Sequence, residues 1–417
     1  VYADATGHGF VDLDELIETG KSVKAGDKII ANNMGKGLAL FIVGSKPLEK
    51  GMNILGAHID SPRMDLKQVP LYEDTDMALL DTHYYGGIKK YQWVTLPLAL
   101  HGVICKKDGS TVTVNIGDKP NDPVVGVSDL LIHLSGEQMG KKASEVIKGE
   151  SLDVLIGSIP GPEKDEDDKD IKERVKANIL TILSQEYGVD EDDFLSAEIE
   201  VVPAGEARDY GLDRSMIMGY GHDDRVCAYP SYRAMLEIEG APEYTSVCLL
   251  VDKEEIGSVG ASGMQSRFFE NCVAEVMNLA GDYSELAVRR ALKNSKVLSS
   301  DVSAAFDPNY PSVMEKKNSA YFGKGLVFNK YTGARGKSGS NDANAEYVAR
   351  LRNIMDTADV SFQTAELGKV DEGGANYDMN VIDSGVPVLN MHAPWEIISK
   401  VDLYEAFRGY IAFLKEA

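Results

Sequence analysis

Two adjacent glutamates follow an apolar run that has the length of a buried strand. The run begins at Val247, and Asp252, Glu254 and Glu255 come directly after it. Such a run is typical of a strand that is buried on both faces of a sheet. In open α/β sheets, ligands bind beyond the carboxyl ends of the strands. One glutamate can therefore bind a metal ion while its neighbour accepts a proton from water, although such a pair by itself is more often a solvated acidic turn.

Four further strand-like runs end in polar residues in the same way. Each run carries a histidine or a carboxylate just past its last apolar residue, and a single motif of this kind also fits a histidine that caps a strand. The residues concerned are His58 with Asp60, Asp223, Asp301 and His392. Because the carboxyl ends of parallel strands meet at one edge of a sheet, we expect all five strand ends to lie together on one edge of one sheet.

The combination of two imidazoles with several carboxylates indicates a site for two divalent metal ions. Nitrogen and oxygen ligands without sulfur suit zinc-like ions. Each ion needs about three protein ligands besides solvent, and a shared carboxylate serves both ions. Two histidines, a bridging aspartate and two terminal carboxylates meet that requirement, which leaves one glutamate as a general base.

The hydrophobic pattern divides the chain into an α/β part and an insertion. Residues 1–65 and 206–417 alternate between strand-like apolar runs and helical patterns, which predicts a catalytic α/β domain. The intervening block, residues 66–205, has β-like runs separated by turn signals, with helical segments near 127–134 and 171–187. We therefore predict a mainly antiparallel inserted domain.

The composition is that of an acidic soluble protein with more than one domain. The 417 residues include 43 Lys and Arg against 66 Asp and Glu, so the formal net charge is −23. This charge argues against nucleic acid or an anionic membrane as a partner. No apolar run reaches the length of a membrane span. The four cysteines show no metal-binding or disulfide spacing, which indicates a reducing compartment, and we expect a cytoplasmic location.

The segments around these residues resemble the M18 aminopeptidases, a family that includes aminopeptidase I and aspartyl aminopeptidase. The resemblance covers nearly the whole chain and is carried by five segments, Ala57–Arg63, Tyr85–Gly87, Asp252–Ser258, Asp301–Tyr310 and Met391–Glu396. It implies a phosphorylase/hydrolase-like mixed sheet flanked by helices. It also implies an enzyme that hydrolyses N-terminal amino acids from peptides.

The family pattern implies a role for each predicted metal ligand. His58 and Asp301 resemble the ligands of one metal ion. Glu255 and His392 resemble the ligands of the other, and Asp223 resembles the bridging ligand. The ions that this resemblance implies are zinc, with manganese and cobalt as alternatives.

The resemblance also extends to residues that do not bind metal. Glu254 resembles the general base, and Asp60 resembles the residue that orients a metal-binding histidine. His133, within Ile132–Leu134, resembles a residue that reaches the active site of a neighbouring subunit, although it also fits an ordinary helix residue. The family implies a tetrahedral homododecamer built from dimers, with the inserted domain as the dimerisation domain.

Two features depart from the family pattern. Ala304 stands where aspartyl aminopeptidases carry a histidine, so a preference for acidic N-terminal residues is not implied. In addition, Asp371–Ala375 is followed at once by Asn376, where the family usually has a longer glycine-rich segment.

Two other functions are compatible with parts of this pattern. A related two-metal carboxypeptidase or deacylase would use the same set of ligands, and release of free N-terminal amino acids would separate it from an aminopeptidase. A non-catalytic assembly or cargo-binding protein on the same fold is the alternative of another class. Retention of Glu254 together with the ligand set argues against that alternative.

Overall fold

The computed structural model describes four stretches of the chain, residues 1–164, 169–331, 341–366 and 380–417. The helices within them are Tyr2–Gly7 (α1), Leu13–Thr19 (α2), Gly136–Met139 (α3), Ala143–Val146 (α4), Arg174–Tyr187 (α5), His222–Leu236 (α6), Phe268–Ala280 (α7), Glu285–Asn294 (α8), Ala345–Thr357 (α9) and Lys400–Glu416 (α10). The strands within them are Val11–Asp12 (β1), Lys28–Asn33 (β2), Gly37–Ile42 (β3), Met52–His58 (β4), Arg63–Asp74 (β5), Met77–Tyr85 (β6), Leu98–Cys105 (β7), Thr111–Ile116 (β8), Val154–Gly157 (β9), Ala197–Pro203 (β10), Arg208–Tyr210 (β11), Met216–Gly219 (β12), Thr245–Val251 (β13), Lys296–Ser300 (β14), Ser303–Ala304 (β15), Leu326–Asn329 (β16), Phe362–Ala365 (β17), Asn380–Gly385 (β18), Pro387–Leu389 (β19) and Glu396–Ser399 (β20). The site of the departure from the family pattern, Asp371–Ala375 with the following Asn376, lies outside the described residues.

The contacts divide the chain into two compact units. The first unit contains Val1–Ser61, Arg208–Met391 and Glu396–Ala417. The second unit contains Pro62–Ala207 and the short segment His392–Trp395. The predicted catalytic and dimerisation roles of the α/β part and the insertion stay predictions. None of the helices among the described residues is both long enough and apolar enough to cross a membrane.

The first unit is a mixed α/β fold built on a nine-stranded sheet. The strand order is β1-β2-β3-β13-β4-β14-β18-β16-β17, with parallel and antiparallel pairs. Its central strands are apolar on both faces because helices cover both sides. One face packs against buried residues of α6 and α10, such as Met235 and Phe413. The other packs against α7 and α8, where Val276 and Ala291 are buried.

Three neighbouring parallel strands end at the same edge of this sheet. β4 lies between β13 and β14, and it is parallel to both. His58, the last residue of β4, pairs with Val251, the last residue of β13. Asp301 comes directly after β14. The expected meeting of these strand ends is therefore confirmed for His58, the Glu254–Glu255 pair and Asp301.

The expectation that all five strand ends belong to one sheet is wrong. β12, which precedes Asp223, and β19, which precedes His392, both belong to a separate five-stranded sheet with the order β11-β12-β20-β19-β15. β12 pairs along its length with β20, which follows it by more than a hundred residues in the sequence. Local periodicity predicts a strand but carries no information about the partner to which it pairs, and this caused the error.

The second unit contains a six-stranded sheet with the order β8-β7-β10-β5-β6-β9. All its strand pairs are antiparallel, as predicted for the insertion. The helix predicted near 171–187 is α5. The helix predicted near 127–134 is wrong, because only Ile132–Leu134 forms a short 3₁₀ turn there. The carbonyl of Val127 instead accepts a hydrogen bond from the N–H of Thr95, which holds this stretch beside another segment.

Candidate metal centre

His58 ends β4 with its imidazole buried among carboxylates. Its Nδ1–H donates to the main-chain carbonyl of Asp60 at 3.0 Å, so Nε2 faces the acidic cluster. Nε2 lies 3.1 Å from Asp223 Oδ1 and 3.8 Å from Asp301 Oδ1. Burial lowers the pKa of His58, but hydrogen bonding to Asp223, Asp301 and Asp60 outweighs it, so the pKa lies well above the usual value. A cation would satisfy the same carboxylates and return Nε2 to the role of a ligand.

Asp60 holds the turn that carries the two glutamates. One of its carboxylate oxygens accepts from the N–H of Glu254 at 3.1 Å, and the other accepts from the N–H of Glu255 at 3.2 Å. The same carboxylate lies 3.4 Å from Nδ1 of His58. The predicted orienting role for Asp60 is compatible with this geometry. The structure adds a second contact, because Asp60 also positions the main chain of the 3₁₀ turn Glu254–Ile256.

The two glutamates of this turn occupy different surroundings. Glu254 places Oε2 4.0 Å from Nε2 of His58. Burial and the neighbouring Asp301 carboxylate raise the pKa of Glu254 to about 7, which is the range that suits a general base near neutral pH. Glu255 instead directs a carboxylate oxygen toward His58 and Asp223, as a ligand would. This geometry is compatible with the predicted division of roles, which stays a prediction.

Asp223 and Asp224 stand at the start of α6, where both have non-helical backbone angles and are joined by a cis peptide bond. Asp224 is not among the residues predicted for the site, yet its side chain is fully buried and close to His58 and Asp301. Burial raises the pKa of Asp224 well above its usual value. The sequence signal for Asp224 is the aspartate doublet itself, of which the predicted site contains only the first member.

Two overlapping groups of side chains have the spacing of a metal site. His58, Asp223 and Glu255 form one group, and His58, Asp224 and Asp301 form the other. Within each group, one possible ligand atom from each residue lies within 4.8 Å of the others. Ligand atoms about 2 Å from one zinc ion lie at most about 4 Å apart, so small side-chain movements would close either group around an ion. The nitrogen and oxygen donor set fits zinc and similar ions.

Three of the residues discussed above are not members of these two groups. His392 belongs to the second unit, where its Nδ1–H donates to the carbonyl of Gly87 at 3.0 Å, and its role as a ligand stays a prediction. Asp252, expected near the chemistry, accepts a hydrogen bond from the Ser262 hydroxyl at 2.7 Å and so holds the following loop. His133 is exposed in its 3₁₀ turn in the second unit.

Comparisons with known proteins agree with this chemistry. A sequence model of the family described as Aminopeptidase I zinc metalloprotease (M18) matches residues 2–414. A probable M18 family aminopeptidase 1 from Clostridium acetobutylicum is 63% identical over 414 residues, which cover 97% of this chain and 88% of that protein.

Solved structures of related proteins share the fold. Aminopeptidase I from Clostridium acetobutylicum matches with a TM-score of 0.87 at 62% identity, over 94% of this chain and 85% of that chain. An M18 aminopeptidase from Thermotoga maritima matches with a TM-score of 0.93 at 43% identity, over 100% of this chain and 91% of that chain. The dodecamer of S. cerevisiae mApe1, at 19% identity and a TM-score of 0.72 over 97% of this chain and 91% of that chain, shares the fold alone.

The match to the family spans almost the whole chain, and the acidic cluster around His58 has the donor types that a zinc peptidase needs. The chain therefore belongs to the M18 family of zinc metallo-aminopeptidases.

Proposed function

We propose that this chain is a dinuclear metallo-aminopeptidase that releases N-terminal amino acids from peptides. The observation that carries the proposal is the cluster of possible metal ligands around His58, with Glu254 at its edge. Glu254 belongs to neither group, and in the absence of metal its pKa is about 7, so its carboxylate is available as a general base near neutral pH.

The proposed ligands are drawn from these two groups, and their division between two ions follows the family resemblance. His58 and Asp301 would hold one ion, Glu255 would hold the other, and Asp223 would serve both. His392 is the further predicted ligand of the second ion. Zinc is the expected metal, with manganese and cobalt as alternatives, because imidazole and carboxylate ligands accept all three ions.

The chemistry of the chain centres on Glu254. Two divalent cations, when bound, would polarise the scissile carbonyl and lower the pKa of a water molecule from about 15.7 toward about 7. Glu254 accepts the proton of that water and passes it to the departing amine. Asp60 keeps Glu254 in place through the hydrogen bond to its N–H.

A set of three matched peptides tests this function. We expect the enzyme to release the first residue from an unblocked tetrapeptide and to leave the N-acetylated form of the same peptide intact. A C-terminally amidated tetrapeptide should be cleaved at an unchanged rate, whereas a carboxypeptidase would reject it. Release of acetate from the blocked peptide would instead show a deacylase, and no turnover of any member would favour a non-catalytic role. Chromatography of the products with time distinguishes these outcomes.

We propose that the chain works as a homo-oligomer, with a tetrahedral dodecamer as the expected assembly. The second unit exposes an apolar run, in which Leu131, Ile132 and Leu134 are 56%, 65% and 70% exposed. Contiguous exposed apolar residues mark interaction surfaces. The related mApe1 structure is a dodecamer, which supports the same choice.

Peptides are the expected substrates, and nucleic acid and membranes are not expected partners. A cytoplasmic location is proposed from the free cysteines.

His133→Ala is expected to lower kcat by about 10²–10³-fold while the protein stays assembled and metallated. The reason is that its imidazole, lent to a neighbouring subunit, would donate a hydrogen bond to the carbonyl oxygen of the scissile bond. Steady-state kinetics, light scattering and elemental analysis measure these properties. His83→Ala is the matched control, because His83 is also an exposed histidine of the second unit.

Mixed oligomers decide whether His133 acts across subunits. His133→Ala subunits are combined with Glu254→Gln subunits, each nearly inactive alone. Sites that pair an intact Glu254 with a borrowed His133 should regain activity. Verified hetero-oligomers that show no recovery would mean that His133 serves its own subunit or is structural.

A further inference from the structure

We propose that Ser61 and Glu396 clamp the main chain of Asp223 and thereby set the affinity of the site for its metal ions. Both residues lie in segments that resemble the family, yet neither received a role from the sequence. The inference rests on the proposed function, because Asp223 is the proposed bridging ligand. We call these two side chains the Asp223 clamp.

Glu396 holds the N–H of Asp223. It is the first residue of β20 and lies opposite Gly219, the last residue of β12, four positions before Asp223. Its Oε2 accepts from the N–H of Asp223 at 3.0 Å. Only 1% of Glu396 is exposed. A buried carboxylate is unfavourable unless it is hydrogen-bonded, and a bond from N–H to an ionised acceptor is among the stronger protein hydrogen bonds.

Ser61 holds the other side of the same residue. Its hydroxyl donates to the carbonyl of Asp223 at 2.7 Å, and only 1% of Ser61 is exposed. Gly221 makes room for this contact, because a Cβ at that position would lie 2.9 Å from Ser61 Oγ. Gly221 also has a φ of +71°, a conformation that other residues rarely adopt.

Within the Asp223 clamp, Glu396 supplies an acceptor that the helix does not provide for the N–H of Asp223. Asp223 stands in the first turn of α6, where backbone N–H groups have no partner within the helix. Its φ and ψ of −78° and 104° are not helical. Two side chains from separate segments therefore fix its peptide groups, and the carboxylate can move only about its own side-chain bonds. Partners that orient ligands in this way typically change metal affinity by 10–100-fold.

The test measures zinc binding rather than turnover. The assembled protein is stripped of metal, and Zn²⁺ is titrated in competition with a fluorescent chelator. We expect Glu396→Leu to raise the Kd for zinc by about 10–100-fold, since it removes the acceptor. Glu396→Gln should stay near the wild-type Kd, because its amide oxygen still accepts from the N–H of Asp223. Ser61→Ala should raise the Kd in the same direction as Glu396→Leu.

Two controls remove a buried carboxylate acceptor and a buried hydroxyl donor elsewhere in the first unit, together with the contacts of Glu405 to Arg408 and of Ser295 to the N–H of Met52. Glu405 is also buried and accepts from the N–H of Ser361 at 2.6 Å, next to the edge strand β17. Ser295 is fully buried and donates to the carbonyl of Ala291 at 2.7 Å. Glu405→Leu and Ser295→Ala should leave the zinc Kd unchanged, even where they lower the melting temperature.

Each outcome decides the question. A folded Glu396→Leu variant with the wild-type Kd would overturn the proposal, as would a glutamine variant that loses as much affinity as the leucine variant. Equal losses in the two controls would attribute the effect to general destabilisation and also overturn it. If Glu396→Leu does not fold, Ser61→Ala against Ser295→Ala carries the decision. A wild-type protein that binds no zinc would instead refute the proposed function.

Discussion

Complete removal of divalent cations is expected to abolish peptidase activity and to lower the melting temperature. The carboxyl groups of Asp223, Asp224, Asp301 and Glu255 lie close to the imidazole of His58, and without cations their ionised forms repel one another. Free metal at a hundred times its Kd would stabilise the folded protein by about 2.7 kcal/mol. Chelation followed by elemental analysis, a peptidase assay and calorimetry measures both effects.

The control for chelation is treatment with the same chelator already saturated with zinc, which should leave activity and melting temperature unchanged. Addition of zinc, manganese or cobalt to the stripped protein should restore activity and identify the most effective ion. Full activity in protein that contains no metal would contradict the two-ion site.

Glu254→Gln is expected to lower kcat by about 10²–10⁴-fold while the metal content stays unchanged. The amide cannot accept a proton, but Glu254 lies outside both ligand groups, so its replacement removes no ligand. Steady-state kinetics and metal analysis of the same preparation test the two halves of this prediction. Glu255→Gln is the matched comparison at the next position and is expected to lose metal. A Glu254→Gln variant that loses metal but keeps its turnover per bound ion would show that the two roles are exchanged.

The pH profile gives an independent measure of the same group. Glu254 works as a base only when it is ionised, so activity should fall as the pH decreases through its pKa. In the absence of metal, burial and Asp301 raise that pKa to about 7. Nearby cations favour the carboxylate, so the acid limb of the holoenzyme should have its midpoint at or below about 7. Glu254→Gln should lack this limb.

Some site residues were accessible to sequence reasoning because the signal is local. An apolar run that stops at polar residues marks both a strand and its end, and this applied to His58, Glu254, Glu255 and Asp301. Their strands are parallel neighbours in the sheet, so the pairing of the strands alone brings their carboxyl ends together. The assignment of base and ligand within the glutamate pair required the family resemblance, since spacing alone treats the two residues alike.

The contribution of Asp60 was only partly accessible. The spacing His-x-Asp suggested a carboxylate beside the imidazole. Its hydrogen bonds to the N–H groups of Glu254 and Glu255 join residues separated by more than 190 positions. No periodicity connects such distant residues, so this second contact appears only when β4 and β13 are paired.

The sequence by itself determined the chemical identities of the donors, the strands β4, β13 and β14 that present most of them, and the family of the chain. Only the tertiary structure decided that Asp223 follows a strand of a second sheet and that Asp224 is buried beside it. The same holds for the hydrogen bonds by which Ser61 and Glu396 fix the main chain of Asp223. The physical reason is that apolar periodicity reports which face of an element is buried. The pairing of strands and the contacts of buried polar groups depend on segments far apart in the chain, and those are selected by the packing of the whole unit.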